Sequence, residues 1–299
     1  PVAPTSSAWR VPPRLRQADE RTALMLRSRH LFLPDHGVLL VNTDVHGNGE
    51  DFARLETIFR EERAREPETH WVILGDVVHG PDEGARRERP ELYDYPDSSM
   101  EIVDAIRRLI VEAPGHVHFV LGNHDHGHVG GPHTHKFHDD EVLALEATLD
   151  DGARDRLRDV LSGALLAVAA PCGVLLTHGS PDDSLSDLAA LDTIPLAIAE
   201  MSYAERTVMR ALLTAYGQPD EKSRTMLEQV SASSGLQLGV VVHGHDRDET
   251  GFFKEGRHQL CPVVFGAPRE NRRYLRLDLA ARYATVDDLH DGEEIRRLY

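Results

Sequence analysis

The sequence has few cysteines and no long apolar run. Cys172 and Cys261 are its only cysteines, and they are too few and too far apart in sequence to indicate a disulfide framework or a thiolate zinc site. No apolar run reaches the roughly 18 residues of a membrane-spanning helix, and residues 1–30 contain no apolar segment typical of an attached signal peptide. We therefore expect no membrane association, and the low cysteine content favours a cytoplasmic location.

Positive charge is also scarce. The 299 residues include 33 Lys and Arg against 50 Asp and Glu, which gives a net charge of −17. Nonspecific nucleic-acid binding depends on Lys and Arg that neutralise phosphates, so this composition disfavours it. A phosphate-bearing ligand would need a locally positive site, which a metal centre supplies.

Histidine, by contrast, is abundant. The chain has 18 histidines, and six of them lie between His124 and His138. Such a tract indicates metal binding by composition, although it is as often a solvated loop. For the histidines beyond Asp125 we favour a solvated loop rich in Gly and Pro over an additional metal or substrate position formed by His126 or His128.

Short apolar runs alternate with segments of helical periodicity along most of the chain. The predicted strands cover residues 38–43, 71–74, 117–121, 165–169, 173–177 and 238–242, with further strand-like alternation in 259–265, 274–278 and 281–286. The predicted helices cover 50–66, 100–112, 141–148, 152–161, 202–216 and 221–231. Since no repeat or composition break marks a second domain, we predict an irregular N-terminal arm at 1–30, one domain of mixed sheet flanked by helices at 31–286, and a polar C-terminal tail at 287–299.

Five of the predicted strands end in side chains that can bind a metal. These side chains are Asp44 and His46, Asp76, Asn123 and His124, His178, and His245. An isolated Asp after a strand is ordinary turn chemistry, but the same placement in successive βα units brings the side chains to one edge of a sheet. His243 would take the place of His245 in a shifted register, and Gly244 directly before His245 favours His245.

The types of these side chains indicate the chemistry. Two Asp, one Asn and three His combine hard and borderline ligands, which suit divalent Mn, Fe, Zn or Co better than calcium. One carboxylate between two cations bridges them at about 3.5–4 Å. Such a pair holds a phosphoryl group and lowers the pKa of a bound water, so the ligand set predicts metal-assisted hydrolysis of phosphoesters.

The order of the motifs resembles the calcineurin-like metallophosphoesterase superfamily. The matching segments are Asp-x-His at 44–46, Gly-Asp at 75–76, Gly-Asn-His-Asp at 122–125, His-Gly at 178–179 and Gly-His at 244–245. Residues 44–47, 75–78, 251–252 and 265–268 are most similar to the phosphoprotein phosphatase branch, whose members are Ser/Thr phosphatases. The resemblance implies a metallophosphoesterase-type β-sandwich flanked by helices, an α/β fold with four layers in the order α/β/β/α.

The resemblance also implies a role for each residue at the strand ends. The implied ligands are Asp44 and His46 for a first metal, Asp76 as the bridge, and Asn123, His178 and His245 for a second. His124 would protonate the leaving group, and a hydroxide between the metals would be the nucleophile. The implied cofactors are two divalent ions, with manganese as the first choice and iron, zinc, cobalt or magnesium as alternatives.

The chain departs from this branch after Asp76. The branch has Asp-Arg-Gly there, and its Asp orients the catalytic histidine while its Arg holds phosphate; this chain has His79-Gly80-Pro81 instead. We expect His124 to be oriented by Asp125 or by an acid of segment 81–99. The candidates for binding substrate phosphate are His79, Arg247, Arg272 and Arg273.

These features predict a di-metal phosphomonoesterase that acts on phosphorylated protein or on a small phosphoester, with a protein serine/threonine phosphatase as the first choice. A nucleotide or dinucleotide polyphosphate hydrolase is the alternative within the enzymes, since such hydrolases share the motifs. A noncatalytic metal-binding scaffold is the alternative of another class, but a scaffold would be expected to have lost a ligand or the proton donor. The sequence predicts no particular oligomeric state.

Overall fold

Two β-sheets lie face to face, with helices packed against their outer faces. The computed structural model describes residues 28–299, so the predicted N-terminal arm lies almost wholly outside the described residues. The strands are β1 (His30–Phe32), β2 (Val38–Asn42), β3 (Thr69–Ile73), β4 (Val117–Phe119), β5 (Ala167–Ala170), β6 (Val174–Leu176), β7 (Val240–Val242), β8 (Phe252–Glu255), β9 (Gln259–Pro262), β10 (Arg273–Asp278) and β11 (Ile295–Arg297). One sheet has the strand order β11-β10-β2-β3-β4, and the other has the order β1-β5-β6-β7-β9-β8.

The helices fill the connections between these strands. They are α1 (Gly49–Arg65), α2 (Glu83–Glu88), α3 (Pro90–Tyr93), α4 (Ser99–Glu112), α5 (Asn123–His126), α6 (Glu141–Ala147), α7 (Asp151–Ser162), α8 (Tyr203–Thr214) and α9 (Asp220–Ser234). Short 3₁₀ segments occur at Gly127–Val129, Ala189–Thr193, Ile198–Glu200, Arg269–Asn271 and Val286–Asp288. Within residues 28–299, no helix is both long enough and apolar enough to cross a membrane.

The strand β2 shows why the apolar runs are nearly continuous. Successive side chains of a strand point to opposite faces. Leu39 and Val41 pack between the two sheets, whereas Val38 and Leu40 belong to the core under the helices. Because both faces are covered, both sets of positions are apolar.

The crossover helix α1 is fixed by its N-cap and by an aromatic cluster. The side chain of Asn48 accepts a hydrogen bond from the backbone N–H of Asp51 at 3.1 Å. Phe52 and Phe59 pack on Trp71 of β3, with ring centroids 5.4 and 5.5 Å apart. Helix α1 therefore carries the chain back to the start of the sheet, so that β3 runs parallel to β2. Both strands then end at the same edge of their sheet.

The structure confirms the predicted sandwich of sheets flanked by helices and corrects two details near the C-terminus. Residues 287–299, predicted to be a tail, contain β11, which pairs antiparallel with β10. Ile295 and Leu298 are fully buried there, so two apolar side chains anchor an otherwise polar segment. The strand expected at 281–286 does not form; that segment turns into the 3₁₀ helix that begins at Val286.

Candidate metal centre and its surroundings

The five strand ends meet at one point, and Asp76 lies at its middle. Its Oδ2 is 3.7 Å from Nε2 of His46 and 3.4 Å from Nε2 of His178. Nε2 of His46 is also 3.9 Å from Oδ2 of Asp44. The strands β2 and β3 come from one sheet and β6 comes from the other, so the packing of the two sheets assembles the group.

Two sets of ligand-capable atoms share Asp76. The first set comprises His46, Asp76 and His124, the second comprises Asp76, His178 and His245, and within each set the atoms lie within 4.8 Å of one another. A shared carboxylate between two such sets is the arrangement that bridges two cations. His243 belongs to neither set; it is buried, with Nδ1 2.9 Å from the carbonyl oxygen of Gly244.

The amide of Asn123 indicates that this point suits a positive charge. Its Oδ1 lies 3.1 Å from Nε2 of His178. The same amide position is 2.9 Å from Nδ1 of His245 and 3.2 Å from Oδ2 of Asp76. The amide thus lies among two imidazole nitrogens and a carboxylate oxygen, and a divalent cation between these atoms would be coordinated by all of them. The residues at the strand ends therefore fit a metal centre.

The backbone at the centre is strained. Within residues 28–299, the non-glycine residues with positive φ are His46, Asp76, His79 and His245, with φ of 41°, 50°, 69° and 66°. Such conformations cost about 1–3 kcal/mol each and cluster at functional sites. Gly122 has a different constraint, because a Cβ at this position would collide with the backbone nitrogen of Asp76. A glycine is thus needed at position 122, where the loop after β4 touches the loop after β3.

Asp125 connects those two loops. Its carboxylate accepts backbone N–H groups from Asp76 at 2.7 Å, Val77 at 3.1 Å and Gly122 at 3.0 Å. Burial and the nearby Asp76 raise its pKa to about 7, against these hydrogen bonds, which favour its ionised form. The predicted contact of Asp125 with the ring of His124 is not seen, because backbone N–H groups occupy both of its oxygens.

Glu141, at the start of α6, contacts His124 instead. Its Oε2 lies 3.1 Å from Nδ1 of His124, and the side chain is fully buried. Burial alone would raise the pKa of Glu141, but the contact with His124 and the charges of His124 and His79 lower it to about 2. Glu141 lies outside segment 81–99, so the sequence-based candidates for an orienting acid did not include it. The sequence signal was weak, because an acid in the first turn of a helix is ordinary.

His79 lies behind His124 and outside the cavity. Its Nδ1 is 3.1 Å from Nδ1 of His124, and its Nε2 is 2.9 Å from Nε2 of His128. Nδ1 of His128 is in turn 3.1 Å from Oε1 of Glu146. His79 is 2% exposed, so the structure does not bring this predicted phosphate ligand to the substrate side.

The histidine-rich tract is only partly a solvated loop. His133, His135 and His138 are exposed, as expected. His126 and His128 are buried, with 3% and 5% exposure, and Nε2 of His126 lies 2.6 Å from the carbonyl oxygen of Leu196. The solvated-loop interpretation is therefore wrong for these two positions, which are part of the packed structure.

A cavity of about 490 Å³ opens over the centre. Its lining includes Asp44, Asp76, His124, Thr134, His135, Lys136, Tyr216, His245, Asp246 and Arg247. Nζ of Lys136 lies 2.9 Å from Nε2 of His46 and 4.1 Å from the ring centroid of Phe265. Burial and the nearby Arg247 lower the pKa of Lys136 to about 7. Lys136 and Arg247 are thus basic side chains at the mouth of the site, and sequence reasoning missed Lys136 among the histidines.

The other two predicted phosphate ligands are held elsewhere. Both nitrogen–oxygen distances from Nη1 of Arg272 to the carboxylate of Asp51 are 2.7 Å. Nε of Arg273 pairs with Asp291 at 3.0 Å, and its Nη1 donates to the carbonyl oxygen of Asn271 at 2.7 Å. Both arginines are buried, and neither lines the cavity. The structure therefore does not bring these two candidates to the cavity, and their charges are already paired.

Burial and neighbouring charges set the protonation of the histidines. Burial lowers the pKa of His46 well below its ordinary value and that of His245 to about 3, so both keep a lone pair at neutral pH. Burial also opposes the charged form of His178, but Asp76 and Asp44 outweigh it and raise its pKa to about 10. A cation bound here would therefore displace the proton of His178.

Both the sequence and the fold have known counterparts. The family model described as calcineurin-like phosphoesterase matches residues 38–246, and no curated protein sequence shows significant similarity to the chain. The fold is similar to a protein serine/threonine phosphatase from Saccharomyces cerevisiae, itself similar to human phosphatase PP5, with a TM-score of 0.56 and 14% identity over 90% of this chain and 83% of that one. It is also similar to a cold-active protein-tyrosine phosphatase from a Shewanella species, with a TM-score of 0.56 and 13% identity over 85% of this chain and 80% of that one.

Proposed function

This chain belongs to the calcineurin-like phosphoesterase family and is a metal-dependent phosphoesterase; from that membership we propose that it hydrolyses phosphomonoesters at the centre around Asp76, as a protein serine/threonine phosphatase. The observation that carries the proposal is the position of Asp76, whose Oδ2 lies 3.7 Å from His46 and 3.4 Å from His178. A carboxylate between two sets of imidazole ligands is suited to a pair of divalent cations.

The proposed ligands extend the two sets by Asp44 and Asn123 and leave out His124, which is the proposed proton donor. They are Asp44 and His46 for one ion, Asp76 for both, and Asn123, His178 and His245 for the other. Manganese is the proposed metal, with iron, zinc, cobalt or magnesium as alternatives for the same oxygen and nitrogen donors. When bound, the two cations would supply Lewis acidity to the phosphoryl group and lower the pKa of a water.

His124 is the proposed proton donor. Its Nδ1 faces Glu141 at 3.1 Å, and the residue lines the cavity, so Nε2 is the nitrogen available to the substrate. As the bond between phosphorus and the leaving oxygen breaks, that oxygen takes the proton from Nε2 of His124. Glu141 is the proposed positioning residue, because a charged carboxylate at Nδ1 accepts the Nδ1–H of the doubly protonated ring, which leaves the Nε2–H as the proton to be transferred.

Lys136 and Arg247 are proposed to hold the substrate phosphate. Both line the cavity, and both contact Phe265, with Nζ of Lys136 4.1 Å and the guanidinium carbon of Arg247 5.4 Å from its ring centroid. Cations at the mouth also provide the local positive charge that an acidic protein of net charge −17 needs to attract a phosphate.

The experiment is a comparison of substrates with the metal-loaded protein. Peptides carrying phosphoserine or phosphotyrosine, a dinucleotide tetraphosphate and a phosphodiester would be assayed side by side, with His124→Ala as the control for contaminating phosphatase. We expect the highest kcat/KM with the phosphoserine peptide and a large loss in the variant. A preference for phosphotyrosine, the tetraphosphate or the diester would overturn the proposed substrate class, and no hydrolysis of any of them would overturn the activity.

A further inference from the structure

A second histidine cluster lies at the other end of the strands that carry the metal centre. His70 is the second residue of β3, and His116 precedes β4. Both strands run from this cluster toward the centre, and the six residues from His70 to Asp76 span roughly 20 Å in extended form. The cluster is therefore separate from the residues proposed to act on substrate.

Three imidazoles are stacked there. Trp71 is paired with Val117 in the parallel register of β3 and β4, which places His70 beside His116 and, on the same face of β4, near His118. The ring of His70 lies 4.8 Å from that of His116 and 5.6 Å from that of His118, with interplanar angles of 28° and 10°. The sheet geometry alone thus holds three histidine rings together.

The hydrogen bonds leave two Nε2 atoms for a ligand. Nδ1 of His70 lies 3.3 Å from Nε2 of His118, and Nδ1 of His116 lies 3.2 Å from the carbonyl oxygen of Thr69. An imidazole whose Nδ1–H is donated to a neighbour presents a bare Nε2, which is how metal-binding histidines are oriented. Nε2 of His70 has no hydrogen-bond partner, and the residue as a whole is only 6% exposed.

Glu68 supplies a carboxylate at the same place. The ligand-capable atoms of Glu68, His70 and His116 lie within 4.8 Å of one another. The backbone of Glu68 is held in place, since its carbonyl oxygen accepts the N–H of Val38 at 3.1 Å, while its side chain is exposed. The cluster is therefore open to solvent on the side of Glu68, and an ion can enter from that side.

From this geometry we propose that Glu68, His70 and His116 form a second, noncatalytic binding site for a divalent transition ion of the Zn²⁺ type. Two imidazoles and one carboxylate are a common zinc donor set, and water completes the tetrahedron. The bound ion joins β3 to β4, which is the edge strand of its sheet. Because the ion binds the folded chain only, it stabilises this edge.

The test counts ions bound by the full chain. Wild type and the double variant Glu68→Gln/His116→Asn would be dialysed against the same free Zn²⁺ concentration, and bound zinc would be measured by elemental analysis. We expect the double variant to bind one Zn²⁺ fewer per chain and to keep its phosphatase activity with manganese, because the substituted residues are remote from the cavity. An equal zinc content in the two proteins overturns the proposal.

The matched control is His133→Ala. His133 is an exposed histidine, with 38% of its side chain accessible, and it pairs with Asp140 at 2.8 Å. We expect this variant to bind as much zinc as wild type. A loss of zinc as large as that of the double variant would mean that exposed histidines bind the ion adventitiously, which also contradicts the proposed site. The phosphatase readout separates this outcome from a failure of the proposed activity.

Discussion

At the scale of single residues, Glu141 is the acid that contacts His124. The sequence predicts that Asp125 or an acid of segment 81–99 orients His124, because the chain lacks the Asp of the Asp-Arg-Gly motif. The structure places Glu141 there instead, 3.1 Å from Nδ1 of His124. A contact between a loop and the start of a later helix depends on tertiary packing, so the sequence pattern did not predict it.

Glu141→Gln tests this positioning role. The amide keeps the shape of the side chain but removes the charge that holds the Nδ1–H of His124, so we expect kcat to fall by at least about tenfold on substrates with poor leaving groups. The loss should be smaller with p-nitrophenyl phosphate, whose leaving group needs less protonation. The measurement is kcat on an alkyl and on an aryl phosphate, with bound manganese counted in parallel.

His133→Ala is the control for that variant. His133 lies in the loop that leads to Glu141, is exposed, and pairs with Asp140 at 2.8 Å. Its removal should leave kcat on the alkyl and on the aryl phosphate near the wild-type values. If Glu141→Gln lost the same factor on both substrates, or lost its metal, the residue would not act through His124.

Lys136 and Arg247 are the residues proposed to hold the substrate phosphate. Replacing either with Met removes one charged hydrogen bond to phosphate, worth about 1.5–3 kcal/mol. We expect KM to rise by about tenfold or more, while the response of kcat to leaving group stays that of wild type. Steady-state kinetics on a phosphopeptide measures both; an unchanged KM in both variants would remove these residues from the substrate site.

At the scale of elements, the apolar runs predicted most of the strands and helices. Runs such as 238–242 are buried on both faces, so their continuous apolar composition can be recognised without knowledge of the rest of the fold. Strands β1, β8 and β11 were not predicted because they are only three or four residues long and lie at or beside the sheet edges. Their pairing depends on the neighbouring strand more than on their own composition.

The ion pair between Arg272 and Asp51 connects two of these elements. It joins the start of β10 to the first turn of α1 across 221 residues of sequence, which is why a sequence pattern could not separate a structural arginine from a phosphate ligand. The hydroxyl of Tyr299 also donates to Asp51, at 2.9 Å. The carboxylate of Asp51 therefore depends on partners from the C-terminal part of the chain.

Arg272→Met should destabilise the fold without altering the chemistry. Its removal leaves the carboxylate of Asp51 buried without its charged partner, which costs about 3–5 kcal/mol. Chemical denaturation measures the loss in the free energy of unfolding, and kcat/KM of the folded variant should match wild type. A large rise in KM at an unchanged free energy of unfolding would instead indicate that Arg272 binds the substrate phosphate.

At the scale of the whole molecule, the centre exists only when the two sheets are packed. Strands β2, β3 and β4 lead to Asp44, Asp76 and Asn123 in one sheet, while β6 and β7 lead to His178 and His245 in the other. The repetition of strand ends predicted that these side chains converge. The sequence pattern did not predict which later residues close over the centre, because the cavity is lined by loops such as the one that carries Lys136.

The central claim is that Asp76 serves two cations at once, and one measurement tests it most directly. Bound manganese and phosphatase turnover would be determined on the same samples of wild type and Asp76→Asn, before chelation, after it, and after manganese is restored. The account predicts that wild type loses activity with its metal and regains both, while Asp76→Asn binds less manganese and stays inactive. Full manganese occupancy with normal turnover in Asp76→Asn, or wild-type activity that persists without metal, would contradict it.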